Sequence, residues 1–311
     1  MRKRTIAMAA AVVTAVTCVA VPATAGATGT GSGGGTTITD RNTDAVFSDR
    51  QDGSVGLKSD GLKAVGLTDA GKTLVRFGTE HPERAAKVGK IAGLAGDTHL
   101  VGIDYRVQNG KLYGVGNKGG IYTVSDRDAS ATMVGQLSVP LSGTYFGVDF
   151  NPAANALRVV SDSGQNLRQP FGTTDGPTVA TMADGQLNYT VGTPAAGVSA
   201  VAYTNNDLNA DSATTLLDVD TALDQIAIQA PANAGSLSAT GKLGMDADAD
   251  AGLDIYSTVR KDRTVDLTAF AVLGKGGTYR LYAVDLLTAS TDTEGTFKFP
   301  VTDIAIGLNQ R

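Results

Sequence analysis

From Gly61 to the C-terminus, apolar and polar residues alternate in short runs broken by Gly, Asp, Asn and Thr. Alternation with a period of two marks half-buried strands, and no long stretch carries a helical stripe. The runs recur at a longer period. Leu100-Val-Gly-Ile-Asp-Tyr-Arg106, Tyr145-Phe-Gly-Val-Asp-Phe-Asn151 and Ala251-Gly-Leu-Asp-Ile-Tyr256 resemble one another, and Val301-Thr-Asp-Ile-Ala-Ile306 is a looser relative. Ser199-Ala-Val-Ala-Tyr-Thr204 keeps the rhythm but has Ala202 where the others carry Asp. Each of the internal runs leads into three more strand-like segments. The clearest train is Lys111–Gly116, Gly120–Ser125 and Ala131–Leu137; the next unit follows with Ala156–Val160, Asn166–Pro170 and Pro177–Ala180. Four strands in roughly fifty residues is the signature of a propeller blade.

The two ends have complementary defects. Lys63–Leu67, Lys72–Phe77 and Ala86–Ile91 supply three strands without a leading partner, while the last unit begins at Val301 and the chain stops at Arg311. A C-terminal strand that completes the first blade gives an all-β, five-bladed β-propeller over residues 62–311. Such closure leaves no broad sheet edge exposed. A β-sandwich is the competing architecture, but it does not explain the complementary ends.

Composition supports this picture. There are 39 Gly, and only Glu80, Glu83 and Glu294 are glutamate among 31 acidic residues. Asp favours turns and Glu favours helices, so a helical bundle is disfavoured. One Cys and two His cannot make an ordinary zinc site without carboxylates. A net charge of -5 argues against nucleic acid or anionic lipid as a partner.

The N-terminus reads as an address. Arg2, Lys3 and Arg4 precede an apolar run from Ile6 to Val21, and Pro22-Ala-Thr-Ala-Gly26 offers an A-x-A cleavage site. That is a secretory signal peptide over 1–25, in preference to a membrane anchor. Cys18 lies inside the apolar run behind Thr17, so a lipoprotein reading is disfavoured and the mature chain is expected to lack Cys. Residues 26–61, with Gly31-Ser-Gly-Gly-Gly-Thr-Thr37, form an expected flexible leader. No later segment is apolar enough to span a bilayer. The expectation is a secreted, extracellular monomer.

Several runs resemble one family. Leu100–Arg106, Lys111–Gly114, Phe146-Gly-Val-Asp-Phe-Asn-Pro152, Arg158-Val-Val-Ser-Asp162, Gly164-Gln-Asn-Leu-Arg168 and Ala202-Tyr-Thr-Asn-Asn206 are similar to the bacterial domain-of-unknown-function family 4394, across about Leu67 to Leu308. The resemblance implies an exported propeller-like domain and transfers no catalytic residue.

Candidate chemistry begins with Asp104, Asp149, Asp254 and Asp303. They appear at corresponding places in the innermost strands, so ring geometry gathers them at the channel. They could hold a cation through oxygen ligands. Alternatively, each accepts backbone N–H groups from a neighbouring blade, which repetition in every unit favours. A second candidate is a calcium loop of Asp207, Asn209 and Asp211, with Asp218 at the twelfth place, although Ser212 replaces the usual Gly. Asp246-Ala-Asp-Ala-Asp250 is similar, and both runs also suit solvated hairpin loops. Calcium is the cofactor considered, with none required. His81 and His99 accompany no nucleophile motif. Arg106, Arg158 and Arg168 are expected to pair with Asp across blades. The leading functional reading is a binding protein for an extracellular ligand, partner or cell-wall glycan. The alternative is a glycan-directed extracellular hydrolase that uses Asp pairs at the channel, where glycosidases need opposed carboxylates.

Overall fold

The computed structural model describes residues 61–310; the expected signal peptide and nearly all of the leader lie outside the described residues. Five four-stranded antiparallel sheets form a closed ring, a five-bladed β-propeller. Blade 1 runs from Val301–Ile306 at the hub through Lys63–Thr68 and Thr73–Gly78 to Ala86–Lys90 at the rim. Blade 2 comprises Leu100–Arg106, Lys111–Gly116, Gly120–Val124 and Ala131–Gln136, and blade 3 comprises Phe146–Asn151, Ala156–Ser161, Asn166–Pro170 and Met182–Ala183. Val198–Tyr203, Leu216–Asp220, Gln225–Gln229 and Leu237–Lys242 form blade 4; Ala251–Arg260, Arg263–Lys275, Thr278–Val284 and Thr291–Thr296 form blade 5.

The last strand closes the ring as expected. Ala64 pairs with Ile306, Val65 with Ala305 and Leu67 with Asp303 in an antiparallel ladder. The strands near the hub bury both faces, because every sheet is sandwiched between two others. Five separate apolar clusters result, one in each gap between adjacent blades. The rim strands have one wet face, so Ala131–Gln136 and Leu237–Lys242 bury only their first residues fully.

The recurring Gly of the inner strands has a steric cause. A Cβ at Gly147 would stand 2.6 Å from the Val201 nitrogen, and one at Gly252 would stand 2.8 Å from the Asp303 Cα. Only glycine lets neighbouring inner strands approach this closely.

One strand lies elsewhere than expected. The rim strand of blade 3 is Met182–Ala183, not Pro177–Ala180; Pro177 makes only an isolated bridge with Phe171. Proline has no N–H to give a ladder. An additional ribbon, Asn188–Thr190 with Thr193–Pro194, sits between blades 3 and 4 in the chain.

Candidate functional site

Strand register decides which hub residues correspond. Asp104 pairs with Tyr113, Asp149 with Arg158, and Asp254 with Phe270. The matching pairs in the other blades are Ala202 with Leu217 and Ala305 with Val65. Asp303 pairs instead with Leu67, so it occupies the place of Gly102, which pairs with Val115. Asp303 is therefore two residues out of step with the other three, which corrects the expected equivalence of the four.

The carboxylates stitch the blades together. Asp104 Oδ2 accepts the Phe150 N–H of blade 3 at 2.7 Å, Asp149 Oδ1 accepts the Tyr203 N–H of blade 4 at 3.1 Å, and Asp254 Oδ2 accepts the Ile306 N–H of blade 1 at 2.5 Å. Where the preceding blade has Ala, the corresponding N–H turns to its own strand. Tyr105 N–H donates to Asp104 Oδ1 and Ile255 N–H to Asp254 Oδ1, both at 2.6 Å. Asp303 Oδ2 accepts the Ile103 N–H at 2.7 Å. These bonds satisfy backbone donors that the ladders leave unpaired.

The three matching carboxylates also meet one another. Asp104, Asp149 and Asp254 present oxygens that all lie within 4.8 Å of each other. Burial, and then the charge of Asp254, raises Asp104 well above the ordinary carboxylate range; burial, and then Asp104 and Asp254, does the same for Asp149. Burial pushes Asp254 up to about 7. Such a cluster must be neutralised by protons or by a cation with oxygen ligands. Exposure of all four hub residues is 7% or less, and each accepts a backbone N–H. A glycosidase pair needs access to substrate and room between its carboxyls. The channel residues of the hydrolase reading lack that access.

The loop residues have separate hydrogen-bond partners. Asp207 Oδ2 accepts from Thr264 N–H and Thr264 Oγ1, both at 2.8 Å, and from Ser212 Oγ at 3.1 Å; Asp207 Oδ1 accepts from Asn209 N–H. Asn209 Oδ1 accepts the Asp211 N–H, and Asp211 pairs with Arg263 at 3.0 Å on the surface. Asp218 is fully buried within its strand. In the similar run, Asp248 caps the turn at Gly276 and Gly277 by accepting both N–H groups. Both runs are hairpin fastenings.

Histidine adds no second site. His81 Nδ1 lies 3.1 Å from Glu83 on a short 3-10 turn, and His99 Nδ1 lies 3.0 Å from Thr98 Oγ1.

The arginines differ from expectation in their partners. Arg106 reaches blade 3, but it donates to Asn155 Oδ1 and to the carbonyls of Thr174 and Gly172, not to Asp. Arg158 and Arg168 both pair with Asp184 of their own blade, at 2.8 and 2.9 Å. Burial opposes ionisation of Asp184, but hydrogen bonds from Arg168 and Arg158 outweigh it. Arg158 crosses to blade 4 through Tyr203 Oη and Asn233 Oδ1.

The gap between blades 1 and 2 is built differently. In the next gap, Arg106, Tyr113, Phe150 and Phe171 fill the space, with Tyr113 edge-on to Phe150 at 5.0 Å and Arg106 over the Phe171 ring. At the matching places blade 1 has Gly307 and Val65. The missing bulk leaves an open cleft of about 1210 Å³. Its walls include Lys63, Arg76, Phe77, Tyr105, Asp126, Arg127 and the segment Gly307–Gln310. Tyr105 Oη donates to Asp126 Oδ2 at 3.1 Å.

A family model matches residues 73–305, which is most of the described propeller. The chain belongs to the DUF4394 family, a domain of unknown function. No curated protein matches it. Among solved structures, a protein of unknown function from Bacteroides thetaiotaomicron is 16% identical, with 80% of this chain and 67% of that chain covered and a TM-score of 0.45. A protein from Lactobacillus plantarum is 14% identical, covering 79% and 99%, at 0.39. A nutrient binding protein from Bacteroides ovatus is 11% identical, covering 68% and 55%, at 0.37.

For this DUF4394 domain, sequence reasoning named the hub acids and missed the cleft. Lys63 and Arg76 were visible only as strand residues, and nothing in the pattern singled out Arg127. The available signal is the substitution of Gly307 and Val65 for Arg106 and Tyr113, and it needs the register to be read.

Proposed function

We propose that this DUF4394 propeller is an exported binding module whose ligand seats in the cleft between blades 1 and 2. One observation carries the reading: this gap lacks the side chains that fill its neighbour, so a concave, partly polar surface stands open where the fold otherwise packs. The signal-like residues 1–25 support an extracellular ligand, and cell-wall glycan is the first class to screen. The hub serves as scaffold, since its carboxylates are committed to joining blades.

Hydrogen exchange tests the location. Incubation with cell-wall fragments and a glycan panel is expected to slow exchange at 61–65, 76–78, 105–110 and 307–310 for any fragment that binds. Protection confined to another face, or turnover of a fragment, sinks this reading.

A further inference from the structure

The cleft carries charge as well as shape. Lys63, Arg76 and Arg127 stand on its walls, exposed, and Asp126 is the acidic residue beside them. None of the three cations has an ion-pair partner among the described residues, whereas Lys87, Lys111 and Arg263 each hold an Asp on the same molecule. The contrast is sharpest at matching positions. Lys111 of blade 2 holds Asp175 at 2.6 Å, and the loop bearing Asp175 closes the gap over Arg106. Lys63 stands at the same register in blade 1, its carbonyl accepting the Gly307 N–H where Lys111 pairs with Arg106, and holds no Asp among the described residues. Asp126 is itself engaged by the Tyr105 hydroxyl. The chain as a whole is acidic, with a net charge of -5, so this local excess of positive charge is a departure from the whole.

We infer that the cleft recognises an oxyanion-bearing chain, with Arg76 and Arg127 binding carboxylate or phosphate oxygens and Lys63 adding a third contact. This rests on the cleft being the binding site. Guanidinium groups present a planar fork that fits either oxyanion, and the ammonium adds a point charge. The volume exceeds what a single small ligand needs, so a segment of a longer polymer fits better than a free ion. Two sources share this chemistry: uronate-type carboxylates of acidic saccharides, and phosphodiesters or phosphates of an anionic polymer. The acidic surface elsewhere repels such a chain and so confines it to the cleft.

The test is titration calorimetry of the full chain with three probes of similar length: oligogalacturonate, inorganic polyphosphate and a neutral oligogalactoside. At least one anionic probe is expected to bind, with affinity that falls as salt rises from 50 to 300 mM. Whichever anion binds identifies the source; binding of both supports the shared chemistry. Arg76→Glu and Lys63→Glu lie on exposed positions and are each expected to weaken binding about tenfold or more, as loss of a charge-assisted contact implies. Arg84→Glu, outside the cleft, is expected to leave affinity unchanged, and melting curves of all variants confirm folding. Binding of the neutral probe as tightly as the anions overturns the charge assignment while leaving the cleft as a site, which hydrogen exchange reports separately. Failure of every anion to bind, or equal loss in the Arg84→Glu variant, overturns it as well.

Discussion

Gln310 fastens the end of the chain to Lys63 as another strand residue would. Its Oε1 accepts the Lys63 N–H at 2.7 Å and its Nε2 donates to the Lys63 carbonyl at 2.8 Å. Its own N–H donates to Tyr256 Oη of blade 5 at 2.8 Å. One residue therefore ties blade 1 to blade 5, just beyond the last ladder pair, Ala64 with Ile306. Nε2 also donates to the Gly307 carbonyl at 2.5 Å, so Gln310→Ala removes three side-chain bonds and leaves the backbone bond. The expected cost is about 1–2 kcal/mol, since these bonds lie at a partly wet site, read as a lower urea midpoint with an unchanged slope. A variant as stable as the parent would show the fastening to be idle.

The hub makes stability depend on pH in a defined direction. Asp104, Asp149 and Asp254 have raised values when folded, against an ordinary value near 3.8. The folded state then holds protons that the unfolded chain has released. This contribution is fully present below about 3.8 and is lost as pH rises through the folded values, that of Asp254 being about 7. Asp149→Asn removes one titrating group and keeps an oxygen for the Tyr203 N–H. The variant is expected to lose less stability than the parent between pH 4.5 and 7.5. Parallel curves for the two proteins would refute proton retention at Asp149.

How much of this was legible follows from what each signal depends on. Closure by Val301–Ile306 could be read from the unpaired ends, because strand alternation and a missing partner are properties of the chain itself. The register of Asp303 could not. Asp303 and Ala305 are two residues apart and lie on one face, so a period of two cannot tell them apart. Only pairing with Leu67 and Val65 separates them. The fastening made by Asp207 was hidden for a similar reason. The spacing of its run matches a calcium loop, but Thr264, from a hairpin more than fifty residues away, supplies the donors that fill its carboxylate. The cleft is harder still, since it is an absence of bulk at Val65 and Gly307.

The Asp207 fastening predicts a large effect without metal. Its carboxylate is 5% exposed and accepts four bonds, two of them from Thr264. Asp207→Ala strands those donors and is expected to cost about 2–4 kcal/mol. Millimolar calcium and chelator are both expected to leave the parent's melting temperature unchanged, since a ligand of the folded state would raise it. A rise of several degrees with calcium would restore the metal reading for the loop or the hub.

Asp218 offers the sharpest test of burial against charge. It is fully buried in the gap between blades 3 and 4, and neither carboxylate oxygen has a hydrogen-bond partner among the described residues. Burial raises its value well above the ordinary range, while the nearby Arg158 charge opposes that rise. Val159 of blade 3 stands at the same register, pairing with Val148 as Asp218 pairs with Val201. Asp218→Val keeps the volume and removes an unsatisfied acid, whereas Arg158 retains Asp184, Asn166 and Asn233 as partners. Stabilisation by about 1–2 kcal/mol at pH 7 is expected from urea unfolding, because an unpaired buried polar group costs that much or more. Destabilisation of similar size would instead mean that Arg158 needs the Asp218 charge, and that the gap is held by a three-body ionic balance.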